Sequence, residues 1–249
     1  MTAAVVPCFN EEPTIGPLVS QLRLLLDLVV VVDDGSCDGT ALIAEQAGAM
    51  VLRHKRNRGK GAALKTGLSQ AQNLGCAWAV TVDGDGQHDP ADLPALLRCA
   101  EQTGALLVIG NRMNDAEAMT WLRRRVNRWM SNKLSQYAGR HLPDTQSGFR
   151  LIHLETWAGL RLTAQRFEVE SETLMAFLAL HHAVEFVPIR AIPAVRKSRI
   201  HPLADSVRWF NWWLMRKHQS PESEVQSPQA ARVNEGHFYE NNPRVYRGF

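Results

Sequence analysis

The run Leu28-Val29-Val30-Val31-Val32 offers no polar residue to either side of an extended chain, and nothing else in the 249 residues narrows the fold as much. A strand alternates its side chains between two faces. An unbroken apolar run is therefore buried on both, as in a parallel sheet with helices above and below it. Ala3-Ala4-Val5-Val6, stopped by Pro7, reads the same way. Between the two, Ile15, Leu18, Val19, Leu22 and Leu25 or Leu26 recur at three- and four-residue spacing within residues 13–26, the stripe of a helix laid on a sheet. The alternation continues with a helix over 40–47, a strand at 50–53, a helix over 60–73 and a strand ahead of Asp83. Asp89-Pro90 caps a helix running to 102, a strand follows at 106–109, and a long helix at 117–137 carries Arg124 and Arg128 off its apolar stripe. A polar loop at 139–148, a strand at 149–152, a helix over 168–180 and a strand at 184–187 complete the pattern. It predicts an α/β, doubly wound, mostly parallel sheet with binding groups on the loops at the carboxyl ends of the strands.

Composition sets outer bounds. At 45% hydrophobic and 21% charged, the chain can bury one large domain or two small ones, and a net charge of +3 is too weak to indicate nucleic acid. Basic residues bunch instead at 123–128 and 196–199. The four cysteines are far apart and form no C-x-x-C pair, which argues against a zinc knuckle or a disulfide framework and for a cytoplasmic setting. The opening MTAAVVPCFNEE lacks the basic region of a secretory signal. The longest nearly apolar run, 24–32, is broken by Asp27 and falls short of the roughly 20 residues a bilayer requires. The expected division is one α/β domain over 1–202, an amphipathic helix over 203–218 and a polar, aperiodic and disordered tail over 219–249. The tryptophan-rich helix, ending in Arg216, Lys217 and His218, suits the face of a membrane; a core or dimer helix has the same composition.

Asp83-Gly84-Asp85-Gly86-Gln87 follows the apolar run 77–82. Two carboxylates one residue apart, with glycine between and after them, put hard oxygen ligands on a turn whose backbone can approach a bound group closely. At an effective dielectric of about 20, two such charges about 4 Å apart repel by roughly 4 kcal/mol, so a cation between them relieves the turn. An ordinary Asp-Gly turn uses the same residues. The other loops tip the balance: Pro7-Cys8-Phe9-Asn10-Glu11-Glu12 follows the first strand, Asp33-Asp34-Gly35-Ser36 the second and Arg112 the fifth. Four such loops on one sheet edge describe a cleft whose acids accept from a nucleotide's base and ribose and whose metal holds its phosphates.

In this order and spacing, VVPCFNEE, VVVVDDGSCDGT, NRGKGAALKTG, VTVDGDGQHDP, IGNR and DTQSGFR resemble the family 2 glycosyltransferases of GT-A fold. The resemblance covers about residues 3–200 and is greatest to the dolichyl-phosphate and polyprenyl-phosphate sugar transferases. It implies a GT-A, Rossmann-like sheet in which Pro7, Phe9, Glu11 and Asp34 surround the base and ribose of a UDP- or GDP-sugar. Asp83, Gly84 and Asp85 would then meet the diphosphate through Mg²⁺ or Mn²⁺, with Gln87 supporting the metal and Arg196 also touching diphosphate. Arg112, Arg124 and Ser147 match positions that bind an acceptor phosphate, which makes Asp83, Asp85 and Arg112 the catalytic candidates. Asp33 is read as shaping its loop.

Other residues stay open between roles. Arg112 also suits a loop ion pair and Arg124 a solvated helix face. Glu168, Glu170 and Glu172 fit helix-start electrostatics as well as a ligand contact. NRGKGAAL lacks the glycine spacing of a Walker loop, so it is read as a helix start that puts Lys60 within reach of phosphate. The absence of G-x-G-x-x-G after the first strand argues against a dehydrogenase, and DSVRW in place of Q-x-x-R-W against a polysaccharide synthase. The expected activity is an inverting, metal-dependent transfer of sugar from a nucleotide-sugar to a polyprenyl phosphate or other membrane-associated lipid at the cytoplasmic face. The alternative is a non-catalytic nucleotide- or nucleotide-sugar-binding partner in a glycan or cell-envelope pathway, against which intact Asp83, Asp85 and Gln87 speak.

Overall fold

The computed structural model describes residues 1–114, 119–193 and 202–216, with side chains from 206 to 215 in the last segment. Arg196 and the 219–249 tail lie outside the described residues. Strand β1 (Thr2–Cys8) leads through helix α1 (Glu12–Arg23) to β2 (Leu28–Asp33), then α2 (Thr40–Gln46), β3 (Met50–Arg53), α3 (Lys60–Asn73) and β4 (Trp78–Thr81). After a single 3-10 turn at Pro90–Asp92 come α4 (Leu93–Thr103), β5 (Leu107–Asn111), α5 (Trp121–Ala138), β6 (Arg150–His153) and α6 (Leu154–Ala158). Helix α7 (Val169–Ala179), β7 (Val184–Pro188) and α8 (Pro202–Arg216) follow.

The seven strands form one sheet in the order β3-β2-β1-β4-β6-β5-β7. The two apolar runs pair in parallel between β3 and β4, with Val5 opposite Val30 and Val6 opposite Val31. Their alternation divides the core. Ala3, Val5, Val30 and Val32 pack toward α3 and the C-terminal helices, whereas Ala4, Val6, Val29 and Val31 pack toward α1 and α4. Only β6 runs against its neighbours, antiparallel to both β4 and β5. Apolar periodicity records which faces of a strand are buried and carries no sign of its direction, so the reversal is first visible in the pairing.

Two helix ends differ from expectation. Helix α1 stops at Arg23, and Leu24 and Leu25 are exposed. Helix α5 begins at Trp121, where the Thr120 side chain accepts from the Arg123 amide. Helix α8 turns one tryptophan edge inward: Trp209 is 2% exposed and Trp213 9%, and the Trp209 indole donates to Ser171 Oγ at 2.8 Å. Trp129 and Tyr137 of α5 close on these rings at 5.5 and 5.1 Å, so half of this tryptophan-rich helix belongs to the core. No helix among the described residues is long and apolar enough to cross a membrane.

Candidate active site

The loops after β1, β2 and β4 meet the amino-terminal part of α5 around a cavity of about 500 Å³. At one end, the chain leaving β1 turns through Asn10, whose φ of 53° is a left-handed conformation that asparagine tolerates. Its amide donates to Ser36 Oγ at 2.7 Å, its side-chain oxygen accepts from the Cys37 amide at 2.8 Å, and the Glu11 amide donates to Thr40 Oγ1 at 2.8 Å. These bonds knit the β1 and β2 loops into one wall that presents Pro7, Phe9, Glu11 and Asp34 to the cavity. Asp33 is fully buried and takes the Ser36 amide and the Arg53 guanidinium, the loop-shaping part expected of it. Asp34 accepts from the Arg58 and Gly59 amides at 2.9 and 2.7 Å and lies 2.6 Å from His54 Nδ1, so its carboxylate is held in place before any ligand arrives.

The floor is the turn after β4. Asp83, Gly84, Asp85 and Gln87 all line the cavity. Close approach explains two glycines. A Cβ on Gly84 would stand 3.0 Å from Cys8 Cβ, and one on Gly148 would stand 2.5 Å from an Asp83 oxygen. The carboxylates are unequal. Lys60 Nζ sits 2.5 Å from Asp83 Oδ1 and 2.5 Å from Glu170 Oε1, and His88 Nε2 is 3.7 Å from Asp83 Oδ2. Burial raises the Asp83 carboxyl, but Lys60 and His88 outweigh it and hold the group well below the usual carboxylate range. Asp85 moves the other way, pushed up by burial and then by the charge of Asp83. Its partners are the backbone and side-chain N–H groups of Gln87, at 3.1 and 2.5 Å, while Gln87 Oε1 accepts from Arg123 Nη1 at 2.6 Å. Gln87 therefore orients Asp85 and ties it to α5.

An under-compensated carboxylate beside a second one suits a divalent cation. Among the described residues no cluster of three or more His, Cys, Asp or Glu side chains could hold a metal alone. A pair of carboxylates with the remaining oxygens supplied by a ligand's phosphates is the way Mg²⁺ is commonly held. The donor set therefore fits a cation that arrives with a diphosphate.

The three acceptor-side candidates fall elsewhere. Arg112 is 3% exposed and forms a two-pronged ion pair with fully buried Asp144, at 2.8 and 3.0 Å. Ser147 is fully buried, with its Oγ 3.4 Å from the Phe149 amide that donates to it, and Arg124 points to solvent. None of the three lines the cavity, and Arg123 and Asn127 do. Helical phase is the reason. One residue along a helix is a turn of about 100°, and the inward edge of α5 runs through Asn127, Met130 and Leu134, which Arg123 joins four residues earlier. The register was readable in the sequence once that edge was followed back through the three consecutive arginines. Burial, and then the charge of Arg112, lower the affinity of the Arg123 guanidinium for its proton, as expected of a cation facing a cavity without a close carboxylate. Glu170, Phe167 and Trp209, also on the cavity wall, come from α7, the loop before it and α8. Glu170 stands open in the sequence between helix-start electrostatics and a ligand contact, whereas no local motif announces Phe167 or Trp209 as cavity lining.

A sequence model of glycosyl transferase family 2 matches residues 3–156. An uncharacterized protein of Methanocaldococcus jannaschii is 36% identical over 196 residues, spanning 76% of this chain and 80% of that protein. The UDP-N-acetylglucosamine–dolichyl-phosphate N-acetylglucosaminyltransferase of Methanococcus voltae is 29% identical over 211 residues, spanning 76% of this chain and 84% of its own. Among solved structures, glucosyl-3-phosphoglycerate synthase from Mycobacterium tuberculosis in complex with Mn²⁺, UDP-glucose and phosphoglyceric acid is similar with a TM-score of 0.72 and 25% identity, over 87% of this chain and 79% of that one.

Proposed function

This chain belongs to glycosyl transferase family 2, and from that premise we propose that it moves a sugar, with inversion, from a nucleoside-diphosphate-sugar to the phosphate of a polyprenyl phosphate or other membrane-associated lipid. Pro7, Phe9, Glu11 and Asp34 receive the base and ribose of a UDP- or GDP-sugar. Asp83 and Asp85 would hold Mg²⁺ or Mn²⁺ together with the diphosphate, and the Gln87 N–H groups orient the Asp85 carboxylate. The bound cation would neutralise the charge that develops on the departing nucleoside diphosphate. Arg123 and Asn127 bind the acceptor phosphate on the far wall, which leaves its oxygen aimed at the anomeric carbon from the face opposite the leaving group. An acceptor phosphate is already ionised and needs no base.

The observation that carries this reading is Arg123, a cation in the cavity whose hydrogen-bond partner among the described residues is the neutral Gln87 amide. A guanidinium so placed recognises an anion. Beside it Val126, Met130 and Trp209 form an apolar wall, which favours an acceptor whose phosphate continues into hydrocarbon. The Methanococcus voltae relative, named for transfer to dolichyl phosphate, supports the same class.

Two measurements test it. With a panel of UDP- and GDP-sugars, Mn²⁺ and a short-chain polyprenyl phosphate, transfer is expected to exceed that to phosphoglyceric acid; neither donor hydrolysis nor transfer across the panel would refute the reading. Arg123→Ala should raise the acceptor KM by about 10- to 100-fold, the worth of a lost hydrogen bond to a charged group, and weaken donor affinity by much less, through the lost tie to Gln87. Arg124→Ala should stay within about 3-fold, since its side chain faces solvent; a reversal of these two effects would reassign the acceptor site.

Metal affinity should also depend on pH. Because the Asp85 carboxyl titrates above its ordinary range, acidification removes its charge before that of a free aspartate. Mn²⁺ affinity is expected to fall as the pH drops through that raised value and to be restored on returning to neutrality. Affinity that stays level down to about pH 4, the ordinary aspartate range, would contradict it.

A further inference from the structure

We infer that the outer faces of α5 and α8 form one docking surface for an anionic membrane. Of the 14 large apolar side chains exposed among the described residues, eight lie on these two helices. They include Trp121 at 68%, Trp129 at 39%, Phe210 at 38% and Met215 at 73%. Trp129 meets Phe210 with ring centroids 6.0 Å apart, so the patch runs unbroken from one helix to the other. The opposite edges of the same helices are already buried through Met130, Leu134, Trp209 and Trp213, and these exposed rings are not a core left half-closed.

Charge selects the occupant. The 18 residues of α5 carry Arg123, Arg124, Arg125, Arg128 and Lys133 and no acidic residue. Arg124, Arg125 and Arg128 are exposed, and no described carboxylate forms an ion pair with them. The Arg125 guanidinium lies 5.2 Å from the Trp121 ring centre, a ring and a cation side by side as at the boundary between headgroups and acyl chains. Aromatic rings that seat in that boundary, flanked by arginines that meet phosphate, match a lipid surface of negative charge. A second copy of the chain matches poorly, because a two-fold contact would set the same row of arginines against itself. Position agrees as well: Val126 and Met130 of α5 and Ser206 and Trp209 of α8 line the cavity, so its edge on this side opens beside the docking surface.

The inference stands on this surface and not on the transfer reading. Co-sedimentation of the full chain with vesicles is expected to show binding to phosphatidylcholine mixed with phosphatidylglycerol, weak binding to phosphatidylcholine alone, and release at high salt. Arg125→Glu/Arg128→Glu should cut the bound fraction at least about 10-fold, while transfer to a water-soluble short-chain acceptor stays at the parental level and shows the site intact. Equal binding to both vesicle types, no binding to either, or parental binding by the variant would overturn the inference. Self-association removed by the same two substitutions, without vesicle binding, would also overturn it and identify a second copy as the occupant. Vesicle binding without transfer to any acceptor would leave the docking surface standing and remove only the proposed reaction.

Discussion

Asp85→Ala is expected to lower metal-supported sugar transfer by about two to three orders of magnitude, the usual cost of removing a group that meets charge developing in the transition state, with little change in melting temperature. The two halves of that expectation have one physical source. In the folded chain an ionised Asp85 is disfavoured by burial and by its neighbour Asp83, so deleting the carboxylate removes a repulsion. Its bonds go to Gln87, two residues away on the same turn, and not to a distant element. Asp83 would be a poorer subject, because Lys60, His88 and the close approach of Gly148 all depend on it, and loss of activity there would be mixed with loss of structure. Mn²⁺ titration in the presence of UDP gives a second readout, expected to weaken along with transfer. Transfer at the parental rate would refute the metal role, as would a loss of activity matched by an equal loss of fold.

The parts of the molecule legible in the chain were those whose cause is local. Four consecutive valines must be buried on both faces, and Val29 and Val31 do pack on one side of the sheet while Val30 and Val32 pack on the other. Asp89 and Pro90 announce a helix start, and the Asp89 carboxylate accepts from the Ala91 amide. The cavity-lining residues at the carboxyl ends of the strands were readable because each stands at or just past the end of an apolar run, and Pro7, Glu11, Asp34 and Asp83 reach one cavity. What could not be read depends on partners far away in sequence. The reversal of β6 is set by its pairing with β4 and β5. The charge state of Asp83 is set by a lysine 23 positions before it, itself shared with Glu170. Which arginine of the basic run faces the cavity is a matter of a different kind: Arg123 and Arg124 are adjacent, and only the phase of α5 puts Arg123 on the cavity wall and Arg124 at the surface.

Arg112→Met is expected to destabilise the fold by about 3–5 kcal/mol, because it strands the fully buried Asp144 carboxylate without its counter-charge. For a chain of this size that is a fall of roughly 10 °C in melting temperature. Asp144→Leu should cost a comparable amount, and the double variant less than the sum of the two, since it leaves neither charge alone. The pair does more than close a loop. Asp144 also accepts from the Arg112 and Gln146 amides, at 3.1 and 3.3 Å, and so fixes the start of the segment that ends at Gly148. The Gly148 carbonyl in turn accepts from Thr81 Oγ1 at 2.7 Å, and its missing side chain makes the room that the Asp83 carboxylate occupies. Arg112 thus reaches the candidate metal site through packing, and its loss should raise the KM for donor and acceptor together as the floor of the cavity shifts. A residue that bound the acceptor phosphate directly would behave differently: Arg112→Met would raise the acceptor KM alone, at unchanged melting temperature, and Asp144→Leu would not share the effect.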